Sequence, residues 1–191
     1  SAMGHTTDHL LKLASKTVKA PRSRELDMLL TAGERVSMSL LAMCLHEKNI
    51  PAISFTGSQS GIITTESHTQ AKILEIKPAR IQDELGKGKV VIIAGFQGVS
   101  RNKEITTLGR GGSDTTAVAL AAVLKADRCE ILTDVRGIYS ADPRLVPEAK
   151  LFSYLSYDKC LQLSVLGAKM HPRSIELAKR FNVPVFIGLS Q

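Results

Sequence analysis

The run Thr106-Thr-Leu-Gly-Arg-Gly-Gly-Ser-Asp114 combines residues that together can hold an anion. Glycines at 109, 111 and 112 let the backbone turn tightly and approach a ligand where a Cβ would obstruct. Arg110, set among them, carries a planar fork that suits a carboxylate or phosphate bidentately. Ser113 or Asp114 is then placed to cap a helix whose interior, 117–124, is apolar on every face and is therefore expected to be buried. The amino end of such a helix gathers unpaired N–H groups and the positive end of the helix dipole. A second chemical stretch follows. Residues 129–135 read as a buried strand, and Arg136-Gly-Ile-Tyr-Ser-Ala-Asp-Pro-Arg144 as the loop leaving its carboxyl end. Open α/β sheets bind ligands at that edge.

The remaining elements must position these two stretches. Thr6-Thr7-Asp8 followed by leucines predicts a short capped helix, and residues 25–48 a longer one interrupted at Gly33, with Leu26, Leu29, Leu30, Leu40, Leu41 and Leu45 on its buried side. Gly33 then marks a helix start or a close ligand approach, since glycine inside a helix costs about 1 kcal/mol relative to alanine. Strands are predicted at 52–55, 61–64, 71–76 and 183–187, and a continuous apolar one, buried on both faces, at 90–94. Gly95-Phe-Gln-Gly98 leaves the end of that strand, and 100–104 is a charged tip. Helices are predicted at 78–85, 157–166 and 172–181. Alternating strands and helices give an α/β chain: a three-layer α/β/α sandwich around an open, mostly parallel sheet.

At 191 residues the chain is one domain or most of one, and long enough for a real core. Its net charge of +7 admits nucleic acid, but the basic residues are scattered and aromatics are only 4%, so neither a basic stripe nor a stacking platform is visible. Acidic small substrates fit the same balance. No apolar run approaches the roughly 20 residues needed to span a bilayer, so neither a membrane nor nucleic acid is an expected partner. Cys44, Cys129 and Cys160 are far apart, lie in apolar stretches and lack zinc spacing, which predicts reduced core residues of a cytoplasmic protein. His5 and His9 are four apart but have no third ligand near, and read as solvated. There is no Gly-x-x-x-x-Gly-Lys-Ser/Thr loop and no protein-kinase catalytic loop, which excludes those phosphoryl-transfer designs.

Several long motifs in order make a specific resemblance. Thr-Thr-Leu-Gly-Arg-Gly-Gly-Ser-Asp-Thr-Thr-Ala from Thr106, Thr-Asp-Val-x-Gly-Ile-Tyr-x-x-Asp-Pro-Arg from Thr133 and Gly167-Ala-Lys169 resemble the signatures of aspartate kinases, members of the amino acid kinase superfamily. The likeness begins at Ser1-Ala-Met-Gly and continues through Arg24-Glu-Leu-Asp-Met-Leu-Leu-Thr-Ala-Gly-Glu-Arg35 and Thr56-Gly-Ser-Gln-Ser-Gly-Ile-Ile63. It implies ATP-dependent phosphorylation of the side-chain carboxylate of L-aspartate, the first step toward lysine, threonine and methionine, with Mg2+ carried on the phosphates and a homo-oligomer as a possible state. The family's Lys-Phe-Gly-Gly opening and its ACT domains have no counterpart between Ser1 and Gln191, and the Lys169-to-Pro172 spacing is one residue short. The chain therefore resembles a catalytic domain, 1–191, without a regulatory module. On its own such a chain is expected to turn over poorly while retaining binding.

By the same resemblance Arg110 would hold the α-carboxylate of aspartate, and Glu34 and Asp114 its ammonium. Ser1, Thr7 and Ser113 would contact carboxylates, and Phe96 would line the pocket. Thr133, Asp134, Tyr139, Arg144, Lys169 and Met170 would meet ATP, with Arg110 and Asp134 closest to the chemistry. Plainer roles exist for each: a surface ion pair for Arg110, an N-cap for Asp114, a turn at 137–143, a solvated Lys169. The competing reading is an inert fragment or binding module that keeps these contacts without turnover. A relative acting on glutamate derivatives or uridylate is disfavoured by Glu34 within Thr31-Ala-Gly-Glu-Arg35.

Overall fold

The longest element is α2 (Ser23–Glu47), 25 residues without a break in a computed structural model that describes residues 1–165 and 170–190. The interruption expected at Gly33 is absent. A Cβ there would lie 3.0 Å from the Ala2 Cβ and 3.3 Å from the Thr6 Cγ2, so the glycine admits the first ten residues against the helix. Those residues lead into α1 (Thr6–Thr17), whose N-cap position is His5 with no side-chain cap bond. Thr6 Oγ1 donates instead to the Met3 carbonyl at 2.7 Å. The buried edge of α2 is Asp27, Leu30, Thr31, Gly33, Glu34 and Ala42, whereas Leu40 and Leu41, expected inside, are 43% and 50% exposed. Among the described helices α2 is the one long and apolar enough to cross a membrane by length and composition. Its inner edge, however, carries two carboxylates and is packed within its own unit.

The chain divides into two compact units, Ser1–Thr116 and Ala117–Gln191. In the first, β1 (Ala52–Phe55) pairs in parallel with β4 (Val90–Ile93), from Ala52↔Val90 to Phe55↔Ile93. β4 is only partly buried and its Val90 is exposed, so it is not the doubly covered strand expected. Between them runs α3 (Ala79–Gly86), with Pro78 at its N-cap position. A second sheet has the order β3-β2-β5-β6, made of β2 (Ile62–Thr64), β3 (Ile73–Ile76), β5 (Gln97–Ser100) and β6 (Ile105–Thr107). β2 and β5 are parallel, and the outer pairs antiparallel. Strands β5 and β6 were not expected. The charged tip at 100–104 is the turn of their hairpin.

The unit boundary falls inside α4 (Gly112–Leu124). Because α4 starts at Gly112, Ser113 and Asp114 occupy its first turn and neither is the cap residue. In the second unit β7 (Cys129–Thr133) pairs in parallel with β8 (Val185–Leu189). With α5 (Tyr157–Val165) and α6 (Pro172–Phe181) they enclose a core of Val118, Cys129, Ile138, Cys160, Met170, Ile175 and Val183. α6 is closed at both ends. The His171 ring accepts from the Arg173 N–H, and Asn182 takes the left-handed C-terminal position at φ 52°. Cys129 and Cys160 are buried as expected, and burial pushes the Cys160 thiol up, but Cys44 is exposed. The Gly167-Ala-Lys169 motif lies outside the described residues.

Candidate active site

Two carboxylates stand two turns apart on the buried edge of α2, and their surroundings differ. Asp27, fully buried, accepts from Thr107 Oγ1 at 2.6 Å, from the Thr69 N–H at 3.1 Å, and is bonded to His68 Nδ1 at 2.7 Å. It thereby ties α2 to β6 and to the loop at 65–71. The Thr69 carbonyl lies where a Cβ on Gly109 would come within 2.8 Å, so this knot also sets the wall behind the Gly109–Gly112 turn. Asp27 lies inside the Arg24–Arg35 motif, but no role was expected of it. Its trace in the sequence is a single charge at a core-facing helical position between Leu26 and Leu30.

Glu34 is only 4% exposed, and its Oε1 accepts from the Ala2 N–H at 3.2 Å. Its Oε2 is buried without a partner. Burial pushes the carboxyl above its ordinary range, partly opposed by backbone N–H bonds, including that of Ala2. Buried acceptors are normally satisfied, so this is an oxygen that the fold itself leaves short of a donor. Ser1 and Thr7 come from the segment whose Ala2 and Thr6 pack on Gly33.

The glycine turn is built in the same unit. Phe96 holds a positive φ of 67°, its N–H donates to Thr116 Oγ1 at 3.1 Å, and its carbonyl accepts from the Leu108 N–H at 2.9 Å. A Cβ on Gly112 would meet the Phe96 ring at 2.8 Å, and one on Gly95 would come 3.2 Å from the Ser113 Cα. Glycine is thus required for the β4 end and the first turn of α4 to approach this closely. Gly109 and Gly111 have φ of 74° and 68°, and the Gly112 N–H donates to the Gly109 carbonyl at 3.0 Å. Arg110 sits exposed at the tip of that turn, and Asp114 in the helix turn that follows. Next to Phe96, Gln97 Nε2 donates to the Thr31 carbonyl at 3.3 Å, one turn before Glu34.

In the second unit four of the predicted nucleotide residues, Thr133, Asp134, Tyr139 and Arg144, lie at the carboxyl end of β7 and on the loop beyond it. Thr133 Oγ1 donates to Asp134 Oδ1 at 2.8 Å, and the Thr133 carbonyl accepts from the Ser190 N–H at 2.8 Å. The loop beyond is pinned by the Tyr139↔Leu151 bridge and by the Phe152 N–H donating to Ile138 O at 2.9 Å. It walls a cavity of about 850 Å3 lined by Asp134, Gly137, Tyr139, Asp142, Arg144 and Leu163, among others. Arg144 is folded onto Asp142: Nη2 donates to Oδ2 at 2.8 Å and Nε to Oδ1 at 3.1 Å, on a side chain 87% exposed. That guanidinium and the Arg144 N–H hold the Asp142 carboxyl down to about 2. Met170 is not among the lining residues; it is buried in the core at φ 85°. Lys169 lies outside the described residues. No group of three or more His, Cys, Asp or Glu side chains able to cage a metal occurs among the described residues.

Comparison with known proteins places these geometries in a family. The amino acid kinase family model matches residues 1–188. An aspartokinase from Geobacillus stearothermophilus is 55% identical over 191 residues, covering all of this chain and 47% of its own length. The crystal structure of aspartate kinase from Synechocystis superposes with a TM-score of 0.86 at 52% identity, over 99% of this chain and 31% of that one. Aspartokinase III of E. coli, in complex with aspartate and ADP, gives 0.84 at 33% identity over 95% of this chain and 42% of that one. The chain thus spans about half the length of the curated relatives it matches, or less. It belongs to the amino acid kinase family.

Proposed function

We propose that this chain is the catalytic part of an aspartate kinase, which transfers the γ-phosphoryl group of ATP to the side-chain carboxylate of L-aspartate and so begins the route to lysine, threonine and methionine. The observation that carries the reading is the buried, unpartnered Glu34 Oε2, an acceptor suited to an α-ammonium. Names of the relatives, and the aspartate and ADP bound to the E. coli neighbour, support the same assignment.

In this reading Glu34 and Asp114 receive the ammonium and Arg110 the α-carboxylate. Ser1, Thr7 and Ser113 contact carboxylates, and Phe96 forms the wall. Thr133, Asp134, Tyr139 and Arg144 serve ATP, joined by Lys169 and Met170. The acceptor carboxylate, with a pKa of about 3.9 in free aspartate, is ionised near neutrality, so no general base is needed. The barrier lies in bringing it to a triphosphate. Each unit charge pair at about 4 Å repels by roughly 1 kcal/mol in water and about 4 at an effective dielectric of 20. Cations and oriented N–H groups, including the first turn of α4, therefore decide the rate. Mg2+ fits this scheme as an ion held chiefly by phosphates and water.

The test is ATP-dependent trapping of the acyl phosphate with hydroxylamine, beside calorimetric titration of L-aspartate. Hydroxamate that requires both ATP and L-aspartate, with L-glutamate giving neither binding nor product, is the expected result. Uridylate- or glutamate-dependent ADP release in place of it would overturn the assignment.

A further inference from the structure

The β3-β2-β5-β6 sheet presents a second cavity that the proposed chemistry leaves unused. Register pairs Glu75 with Ile63, Ile63 with Val99, and Val99 with Ile105, so the four form one row across the sheet. Gln97, two residues before Val99 on β5, shares its face, and Lys77 just past β3 and Arg101 and Lys103 of the β5–β6 turn also border the cavity there. Together these eight line a cavity of about 900 Å3, joined by Arg35 of α2 and by Thr56, Ser58 and Gln59 of the turn after β1. That volume is within the range of small-molecule sites.

The charges around it are one-sided. Arg35, Lys77, Arg101 and Lys103 face a single acid, Glu75, and none of the four makes an ion pair among the described residues. Nearby acids are engaged elsewhere: Glu104 accepts from Arg24 Nε at 2.7 Å, and Glu66 from Asn102. Arg35 Nε is buried with no partner. A guanidinium N–H withdrawn from water without an acceptor is costly unless a ligand supplies one, and guanidinium recognises phosphate oxygens by paired N–H donation. Ile63, Val99 and Ile105 provide an apolar floor between the cations.

We propose that this cavity binds a small phosphorylated metabolite, its phosphate groups on Arg35, Arg101, Lys77 and Lys103 and its apolar or planar body on the Ile63-Val99-Ile105 floor. It shares no residue with the aspartate and nucleotide contacts assigned above, and is an additional site.

The experiment uses the 15N-labelled chain titrated with inorganic pyrophosphate, and with tricarballylate at matched ionic strength to separate phosphate from carboxylate recognition. Amide shifts at Ser58, Gly98, Ser100 and Lys103 that saturate with pyrophosphate and are weaker with tricarballylate are expected. The double variant Arg101→Ser/Lys103→Ser changes exposed hairpin residues and should weaken that titration at least about tenfold. Arg35→Met should do the same, with thermal melts of both variants confirming the fold. Shifts confined to residues 134–145, equal response to both anions, or an unchanged titration in the double variant would each overturn the proposal. So would sedimentation showing that the cavity face is occupied by a second copy of the chain.

Discussion

The Glu34 corner and the Asp134–Arg144 loop differ in how far each is assembled before a ligand arrives. In the first, close packing at Gly33 and Gly95 and contacts too tight for a Cβ at Gly109 and Gly112 bring the segments together, and the carboxylate of Glu34 is fixed and short of one donor. In the second, the principal cation is exposed and spends its donors on Asp142. A preorganised group costs no reorganisation when charge develops, whereas a self-paired one must first give up its partner. Recognition of the amino acid should therefore be rigid and selective, and recognition of phosphate adjustable.

The largest effect is expected where rigidity originates. Asp27→Ala strands the Thr107 hydroxyl, the Thr69 N–H and the His68 ring, and leaving a buried polar group without its partner costs about 1–3 kcal/mol. A urea melt should show that loss, with Asp27→Asn intermediate. A cost near the roughly 0.5 kcal/mol of a surface substitution would mean that the glycine turn is not held through α2. Arg110→Ala comes next. It should weaken L-aspartate binding by about 1.5–3 kcal/mol, the value of a charged hydrogen bond, and leave ATP binding nearly unchanged; the reverse pattern by calorimetry would exchange the two assignments.

The contrast also explains what could be read in the sequence. Helices α4 and α6 and the strands flanking the second unit were legible because apolar runs, proline and glycine mark them locally. The glycine turn and the Thr133–Arg144 loop were legible as motifs. Asp27 was not, because its role depends on Thr107 and His68, far away in sequence. The continuity of α2 through Gly33 was hidden for the same reason: the propensity penalty is visible locally, and the Ala2 contact that offsets it is not. Strands β5 and β6 were lost among glycine and polar residues, since their burial on α2 uses Gln97 and Thr107 instead of alternating aliphatic residues.

A pH titration of aspartate affinity sharpens the Glu34 side. Burial raises the Glu34 carboxyl in the folded chain, so the protonated form is favoured there relative to the unfolded state. Its contribution to stability is complete below its unfolded value and declines as pH rises through the raised one. An ammonium ligand prefers the ionised form, so affinity should climb with pH through that raised value, above the ordinary carboxylate range. Glu34→Gln should flatten the climb and lower the plateau. A wild-type edge that follows only the carboxyl groups of free aspartate would remove Glu34 from the site.

The smallest effect tests the adjustable side. Asp142 is held down to about 2 chiefly by the Arg144 side chain, and then by the Arg144 N–H. A depressed carboxyl contributes above its unfolded value and loses that contribution as pH falls toward 2, so the pair is intact at neutrality. A phosphate seeking Arg144 must compete with it. Asp142→Asn removes the competing charge but keeps an acceptor for the Arg144 N–H, leaving the turn and freeing the guanidinium. ATP affinity should then rise, by roughly fivefold or less because an exposed pair is worth little, and the gain should fade with added salt. L-Aspartate affinity should stay the same. A loss of ATP affinity in Asp142→Asn would mean that the ion pair shapes the loop for the nucleotide, and that this half of the molecule is preorganised as well.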